Sequence, residues 1–598
     1  MPKPADMSAP VVGAKDTGKS LRTLWQYCRK YAALIITALA FAAISAVLSV
    51  IGPDYISQLT ETITNGVSMA GISIDMEKIT RIGVTLIVIY AVSMLLGYLQ
   101  SVIMAHVSCN VGKKMRGDIS HKINRIPLRY FDSHSQGDTL SRVTNDVDSV
   151  TQSLNMSVGT LVTAAATLIG CVVMMFITDW RMGLTGIAAS LIGFIAMGVI
   201  MAKSQKYFVA RQNNLAKVNG HVEEYYAGQN IVRAYNSEAK GLASFRKSNE
   251  ELRKATFKAE FLSGLMMPIM SFVGNLGYVA VCIVGAVLAF NGTINFSVVV
   301  AFMIYIRLFT SPLGQIGQGF SGIQSALAAS ERVAEFLAEE ELADESGKTA
   351  RLDTISGHVT FDHVRFGYDA DKPIIHDFSA EVKAGQKVAI VGPTGAGKTT
   401  VVNLLMRFYE LNGGRISIDG MPLSDITREN VHSIFGMVLQ DTWLFEGTVR
   451  ENLTYGKKHV SDEKLLDICE QCGLRHFIDT LPSGLDTVLN DNVSISAGQK
   501  QLLTIARAMV EDAPLLILDE ATSSVDTRTE LQIQRAMDSL TQGRTSFVIA
   551  HRLSTIRDAD MIIYMQDGDI KELGTHDELM AQNGKYAELY NSQFTMAS

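Results

Sequence analysis

Apolar positions come in long unbroken runs along the first half of the chain, and in short strand-sized clusters along the second. A helix crossing the hydrocarbon layer of a bilayer needs about 20 mostly apolar residues. Six stretches approach or exceed that length: Ala32–Ile51, Ile82–Val107, Val158–Ile177, Leu184–Met201, Leu262–Phe290, and Phe296–Phe309 with its continuation. The third and fourth are parted only by a tight turn at Thr178–Arg181, with Trp180 at the interface, and the fifth and sixth by Asn291–Asn295. The connections from Val107 to Val158 and from Met201 to Leu262 are long, polar and helical in period. Structureless loops of that length are uncommon, so the spacing predicts continuous helices running out of the membrane.

Charge orients these spans. Lys113, Lys114, Arg116, Lys122, Arg125 and Arg129 fill one long connection, and Lys203, Lys206, Arg211 and Lys217 the other. Lys15, Lys19, Arg22, Arg29 and Lys30 precede the first span. The positive-inside bias therefore puts both connections and both termini in the cytoplasm. Met1–Ser20 lacks an apolar core and reads as a disordered cytosolic tail rather than a targeting segment. Arg307, inside the sixth apolar stretch, is either a pathway residue facing a cavity or a structural, snorkelling one. The methionines of the third and fifth spans suit helix packing.

Past an acidic linker, Leu337–Gly357, the period changes. His358–Tyr368 alternates as a half-buried strand does, and Lys387–Val391 is a fully apolar strand. Next comes Gly392-Pro393-Thr394-Gly395-Ala396-Gly397-Lys398-Thr399, followed by helical spacing over Thr400–Phe408. Strand, glycine loop and helix is the context in which backbone N–H groups and a helix N-terminus hold phosphates. Lys398 reaches toward the β- and γ-phosphates, and the Thr399 hydroxyl is a Mg²⁺ ligand. Asp519 ends the apolar strand Leu515–Asp519 and is a second candidate for Mg²⁺. Glu520, one residue on, is placed to act as general base on an attacking water. His551, after the apolar stretch Ser546–Ala550, is placed to contact the γ-phosphate.

Taken in order, Tyr368, the loop 392–399, Gln440 within Val438–Asp441, Ser496–Gln499, Asp519–Glu520, Ser523–Asp526 and His551 resemble the ATP-binding cassette (ABC) transporters. Within them the chain is similar to the exporter type, in which a membrane domain is fused to a nucleotide-binding domain. The resemblance covers nearly the whole chain after residue 20. It implies a six-span α-helical transmembrane domain of the type I exporter kind over residues 21–336, and a linker over 337–357. An α/β P-loop nucleotide-binding domain with a helical subdomain follows over 358–598.

The resemblance also assigns roles. Tyr368 stacks on adenine; the loop with Thr400 and Asp526 binds nucleotide; Gln440 touches Mg²⁺ or water and relays nucleotide state. Ser496, Gly498 and Gln499 contact the nucleotide of a partner cassette, so the chain works as a dimer. Gly137–Asp146 and Glu224–Tyr235 resemble coupling segments, and Ser330–Val333 the helix leaving the sixth span. The cofactors implied are ATP and Mg²⁺, and the location a bacterial plasma membrane with the nucleotide domain in the cytoplasm.

One departure changes the expected partner. The family signature carries glycine where this chain has Ala497, and the Gly-Glu-x-Gly before it is missing. A Cβ restricts the backbone where it must approach a phosphate, and that handicap falls on the site completed for the partner. Within the family this asymmetry resembles the catalytic subunit of heterodimeric exporters, whose partner has a good signature and lacks the catalytic glutamate; the resemblance implies a heterodimer, with a homodimer as the alternative.

Composition narrows the remaining choices. A net charge of −7 over 598 residues points to no nucleic-acid partner. Six cysteines are too few for a disulfide framework, and Cys469 and Cys472 read as helix-packing thiols rather than a zinc pair. The spans exclude a soluble cassette ATPase, and the Asp519–Glu520–His551 set disfavours a receptor or channel gated by ATP binding alone. The transported compound is expected to be hydrophobic or amphipathic, of the drug or lipid class; siderophore import and peptide export are the alternatives.

Overall fold

The computed structural model describes residues 16–68, 71–72, 74–369, 372–457, 459–490, 495–519, 526–550 and 553–594. The chain divides into two compact units, Met1–Ile126 with Phe131–Glu341, and Pro127–Tyr130 with Leu342–Ser598.

The first unit is helical. Among the described residues, six helices are long and apolar enough to cross a membrane. The spans are carried by Ala32–Gly66, Met76–Ile123, Val147–Thr178, Trp180–Ala227, Met266–Phe290 and Phe296–Leu337. Between spans, apolar surface supplies little drive to associate, so close approach of small residues and buried hydroxyls does the work. Ser45 Oγ donates to Ser93 O at 2.9 Å between the first two spans. Ser153 Oγ donates to Gly322 O at 2.8 Å between the third and sixth. A Cβ at Gly322 would lie 2.1 Å from Ser157 Oγ, and one at Gly193 would lie 2.6 Å from Val273. Beside the short turn between the third and fourth spans, Val50, Cys171, Met175, Met182, Val281, Phe302, Tyr305 and Ile306 form one buried cluster. Asp179 caps the fourth span, accepting from the N–H groups of Arg181 (2.9 Å) and Met182 (3.0 Å).

The long connections are helical but not continuous. The first turns after Asn124 and continues as Leu128–Ser133, Gln136–Ser141 and a π-turn at Arg142–Asp146. The second turns at Gly228, carries Gln229–Ala234, and turns again at Asn236, whose φ is +50°. Helix Glu238–Gly264 then returns, and a break at Leu265 precedes the fifth span. Two of these turns have a local cause, at Pro127 and at left-handed Asn236. The tail expected over Met1–Ser20 is shorter, because a helix starts at Thr17, capped by Asp16, which accepts from Lys19 N at 3.0 Å; residues 1–15 lie outside the described residues.

Two features tie this unit together on its charged side. Arg332 Nε donates to Asp146 Oδ2 at 3.0 Å, pinning the π-turn to the helix leaving the sixth span. Buried Lys122 pairs with Glu341 at 3.0 Å.

The second unit is built on one large sheet. Its strands are β1 (Val359–Phe366), β2 (Ile375–Val382), β3 (Lys387–Val391), β4 (Gly413–Ile418), β5 (Met421–Pro422), β6 (Phe435–Val438), β7 (Leu515–Asp519), β8 (Thr545–Ile549), β9 (Met561–Gln566) and β10 (Asp569–Gly574). Among the described residues their order is β5-β4-β1-β2-β10-β9-β3-β8-β7-β6. The half β9-β3-β8-β7-β6 is parallel. Both faces of those strands are covered, which explains their unbroken apolar sequences. Leu516, Leu518 and Val548 enter one core with Leu502, Ile505 and Cys469; Leu515, Ile517, Phe547 and Ile549 enter the other with Val402 and Phe378. Helices Val449–Leu453, Asp462–Gln471, Arg475–Thr480 and Ala497–Glu511 cover the first face as a helical subdomain.

Cys469 and Cys472 are buried in that subdomain, and Cys472 Sγ lies 3.5 Å from Met509 Sδ. Burial pushes their thiols up to about 11 and about 12. They are packing groups, and among the described residues no metal-ligating cluster forms.

The acidic linker is tied down at Glu345. Its carboxylate reaches Arg407 (2.7 Å) and Arg428 (3.1 Å), and accepts from the Arg428 N–H at 2.7 Å.

Candidate functional site

The parallel strands deliver their C-terminal ends to one edge, where ligands bind in open α/β sheets. Strand β3 lies between β8 and β9 and runs directly into the glycine loop. Backbone geometry restricts the residues of that loop. Gly395 and Gly397 have φ of +87° and +99°, and a Cβ at Gly392 would sit 2.1 Å from Met565 O. Ala396 is buried and anchors the loop from below, its N–H donating to Pro393 O at 3.2 Å, while Pro393, Thr394 and Gly395 stay exposed. Left-handed Gly397 starts the helix Lys398–Leu405.

Lys398 curls back over this loop. Its Nζ donates to Gly392 O at 2.8 Å and Pro393 O at 3.1 Å. Burial pushes its ammonium below the ordinary lysine value, and the Asp519 carboxylate opposes that shift. The Thr399 side chain is exposed at the helix N-terminus, whereas Thr400 is buried, its Oγ1 3.4 Å from the Tyr368 hydroxyl. Tyr368 is held edge-on by Phe366 and Tyr409, each with ring centroids 5.0 Å away.

Asp519 pairs in register with Ile549, and β7 pairs with β6 up to Leu518–Val438. Gln440 therefore follows the neighbouring strand by two residues, with its side chain exposed. Glu520 and His551 lie outside the described residues, as do Ser523 and Val525.

Ser496, Gly498, Gln499 and Asp526 begin helices. Ser496 caps Ala497–Glu511 in a reciprocal box: Gln499 N donates to Ser496 Oγ (3.2 Å), and Ser496 N donates to Gln499 Oε1 (3.0 Å). The signature sequence is thus also a capping box. Gly498 is buried and Ala497 exposed. Asp526 caps Thr527–Thr541, accepting from the N–H groups of Arg528 (3.1 Å) and Thr529 (3.0 Å). Those bonds hold its carboxyl below the usual carboxylate range, the Thr529 hydroxyl contributing most.

A residue invisible to motif reading braces this region. Arg507, on the helix that Ser496 starts, donates to Asn452 O (2.8 Å), Asn452 Oδ1 (3.0 Å) and Trp443 O (3.1 Å). Its guanidinium also lies over the rings of Phe445 and Tyr455. Arg507 thereby fixes the segment that follows Gln440. Its partners lie far away in sequence, and no local pattern announces them.

The loop has the shape and backbone donors for a nucleotide polyphosphate, with Pro393, Thr394 and Gly395 exposed just before a helix N-terminus. The Thr399 hydroxyl, Asp519 carboxylate and Gln440 carboxamide are hard oxygen donors of the kind Mg²⁺ takes.

The comparisons with known proteins agree with this geometry. The family described as ABC transporter transmembrane region matches residues 35–313, and the family described as ABC transporter matches residues 375–523. This chain belongs to the ABC transporters.

It is 42% identical over 87% of its length, and 82% of the relative's, to a fatty acid ABC transporter ATP-binding/permease protein of Mycobacterium bovis. An uncharacterized ABC transporter ATP-binding protein of Bacillus subtilis is 38% identical over 97% of this chain and 95% of its own length. A multidrug resistance ABC transporter ATP-binding and permease protein of Lactococcus lactis is 32% identical over 93% and 94%. With both family regions in one chain, the protein is an exporter-type ABC half-transporter. It binds ATP, couples ATP hydrolysis to transport, and is a multi-pass membrane protein with its ATP-binding unit in the cytoplasm.

Proposed function

We propose that this half-transporter exports a hydrophobic or amphipathic compound of the drug or lipid class, as the catalytic half of a dimer whose second cassette is degenerate. The observation that carries the catalytic reading is the convergence of the glycine loop, Lys398 and Asp519 on one edge of the sheet, in a chain that also carries six spans. The names of two relatives, a fatty acid transporter and a multidrug resistance transporter, support a hydrophobic or amphipathic cargo without specifying its head group.

In this reading Tyr368 stacks on adenine, residues 392–400 cradle the phosphates, and Asp526 borders the site. Thr399, Asp519 and Gln440 hold Mg²⁺, which when bound neutralises charge on the phosphates. Glu520 takes the proton of the attacking water, and His551 steadies the γ-phosphate. Ser496, Gly498 and Gln499 face the nucleotide held by the partner cassette. Closed cassettes bind ATP better than open ones, so ATP closes them, and Gln440 passes closure to the helical unit.

Inside-out vesicles test this. ATP-dependent accumulation of a fluorescent short-chain phospholipid or a lipophilic dye, absent in Glu520→Gln, is the expected result. Equal accumulation by wild type and variant would refute the hydrolytic role.

A further inference from the structure

Toward the cytoplasmic ends of the second, third and sixth spans lies a broad, open groove of about 670 Å³. Its wall is amphipathic: Val102, Ala105 and Met156 give apolar surface, and the polar groups set among them are uncharged. Tyr98 and Gln100 come from the second span, Asn155, Thr160 and Thr163 from the third, and Gln315 from the sixth. Among the described residues that line it there is no Asp, Glu, Lys or Arg.

These positions are unusual for their depth. Gln100 interrupts the apolar run Ile82–Val107 within two turns of its cytoplasmic end. Carboxamides at membrane depth normally find a protein partner, because lipid offers none. Among the described residues, those of Gln100 and Asn155 form no hydrogen bond within the chain. Thr160 gives its proton to Met156 O at 2.7 Å and keeps its oxygen lone pairs as acceptors. Gln315 Nε2 makes only a long 3.4 Å contact to Ser311 Oγ.

Gly159 provides an independent sign that the geometry is specific. A Cβ there would fall 2.5 Å from Gln100 Nε2. The Gln100 carboxamide thus lies against the third span at Gly159, and a Cβ there would make it shift from its place in the groove.

We propose that this groove recognises the polar end of the transported amphipath, and that it selects an uncharged hydrogen-bonding head group over a carboxylate or a quaternary ammonium. Carboxamides and hydroxyls supply donors and acceptors together, which suits hydroxyl, amide or glyceryl groups. A charged head brought here loses hydration and meets no counter-ion. Gln100 lies in the cytoplasmic half of the apolar run Ile82–Val107, so an amphipath entering from the inner leaflet keeps its tail in lipid. The proposal rests on the reading of the chain as a transporter of amphipaths.

The test uses the full chain in lipid nanodiscs and three probes with matched twelve-carbon tails: monododecanoylglycerol, dodecanoate and dodecyltrimethylammonium. Titration calorimetry measures binding of each, and ATP affinity is measured alongside. The expected result is monododecanoylglycerol bound about tenfold or more tighter than either charged probe. Gln100→Leu, Asn155→Leu and Gly159→Ala each erase that preference, with ATP affinity and dimer mass unchanged. Charged probes bound equally well, no probe bound, or a preference surviving all three variants would each overturn the proposal. Dimer dissociation in Gln100→Leu or Asn155→Leu would also overturn it, by making the carboxamides inter-subunit contacts. ATP hydrolysis and vesicle transport by the complex with its partner cassette subunit, persisting through any of these failures, would separate them from failure of the transporter reading.

Discussion

Lys398 Nζ donates to the carbonyl oxygen of Gly392 at 2.8 Å, closing the loop on the lysine that starts the following helix. The ammonium is therefore held in place before any phosphate arrives, and nucleotide binding exchanges carbonyl partners for charged oxygens. A phosphate oxygen adds the attraction of its negative charge to the hydrogen bond that the ammonium already made to a neutral carbonyl, so the exchange favours binding. Lys398→Ala is expected to weaken ATP affinity by about tenfold or more. Fluorescent-nucleotide titration checks this, and an unchanged affinity would remove Lys398 from phosphate binding.

Glu520→Gln is expected to leave ATP affinity within about twofold of wild type while turnover falls by roughly 10²–10⁴. Binding and hydrolysis measured on one preparation separate the two effects. A parallel loss of affinity would mean that the carboxylate is needed to build the site rather than to activate water.

Arg507 makes a different kind of prediction. Arg507→Ala removes the donor to Asn452 O and Trp443 O, and leaves Asn452 Oδ1 with the Phe445 N–H alone. The expected loss is about 2–4 kcal/mol in the stability of the nucleotide-binding unit. Arg507→Lys keeps charge but not the planar fork, so it should recover little. Thermal melts rank the three proteins, and full rescue by lysine would show that charge alone matters.

Much of the architecture was legible because two signals are strong. Apolar runs of membrane length can be little else than spans, and a strand leading into a glycine loop and helix is a rare juxtaposition. The turns at Asn124–Pro127, Gly228 and Asn236 were harder to see, since helical sequence flanks each of them and only one or two residues break it. The Ser496–Gln499 box was visible as a pattern, yet its capping role emerges only from the bonds Ser496 and Gln499 exchange. Arg507–Asn452 and Glu345–Arg407 join residues distant in sequence, and nothing local encodes such pairs.

Glu345 predicts a pH dependence. Burial works to raise its pKa, but the Arg428 N–H, Lys348 and the guanidinium groups of Arg407 and Arg428 outweigh it and hold the carboxyl below the usual range. A lowered folded-state value means that the stabilisation is complete above the unfolded carboxylate pKa of about 4.3 and is lost as pH falls through the lower folded value. Glu345→Gln should lower the melting temperature at pH 7 and converge with wild type in acid. A difference that persists unchanged in acid would show that packing, not charge, is at stake.

Ala497 bears most directly on the account, because it separates a catalytic half from a self-sufficient homodimer. The decisive measurement is steady-state ATP hydrolysis by this chain purified alone in lipid, with its mass determined in the same sample. The account predicts negligible turnover, restored either by a second cassette subunit with an intact signature or by Ala497→Gly. Vigorous, cooperative hydrolysis by a wild-type homodimer would contradict it.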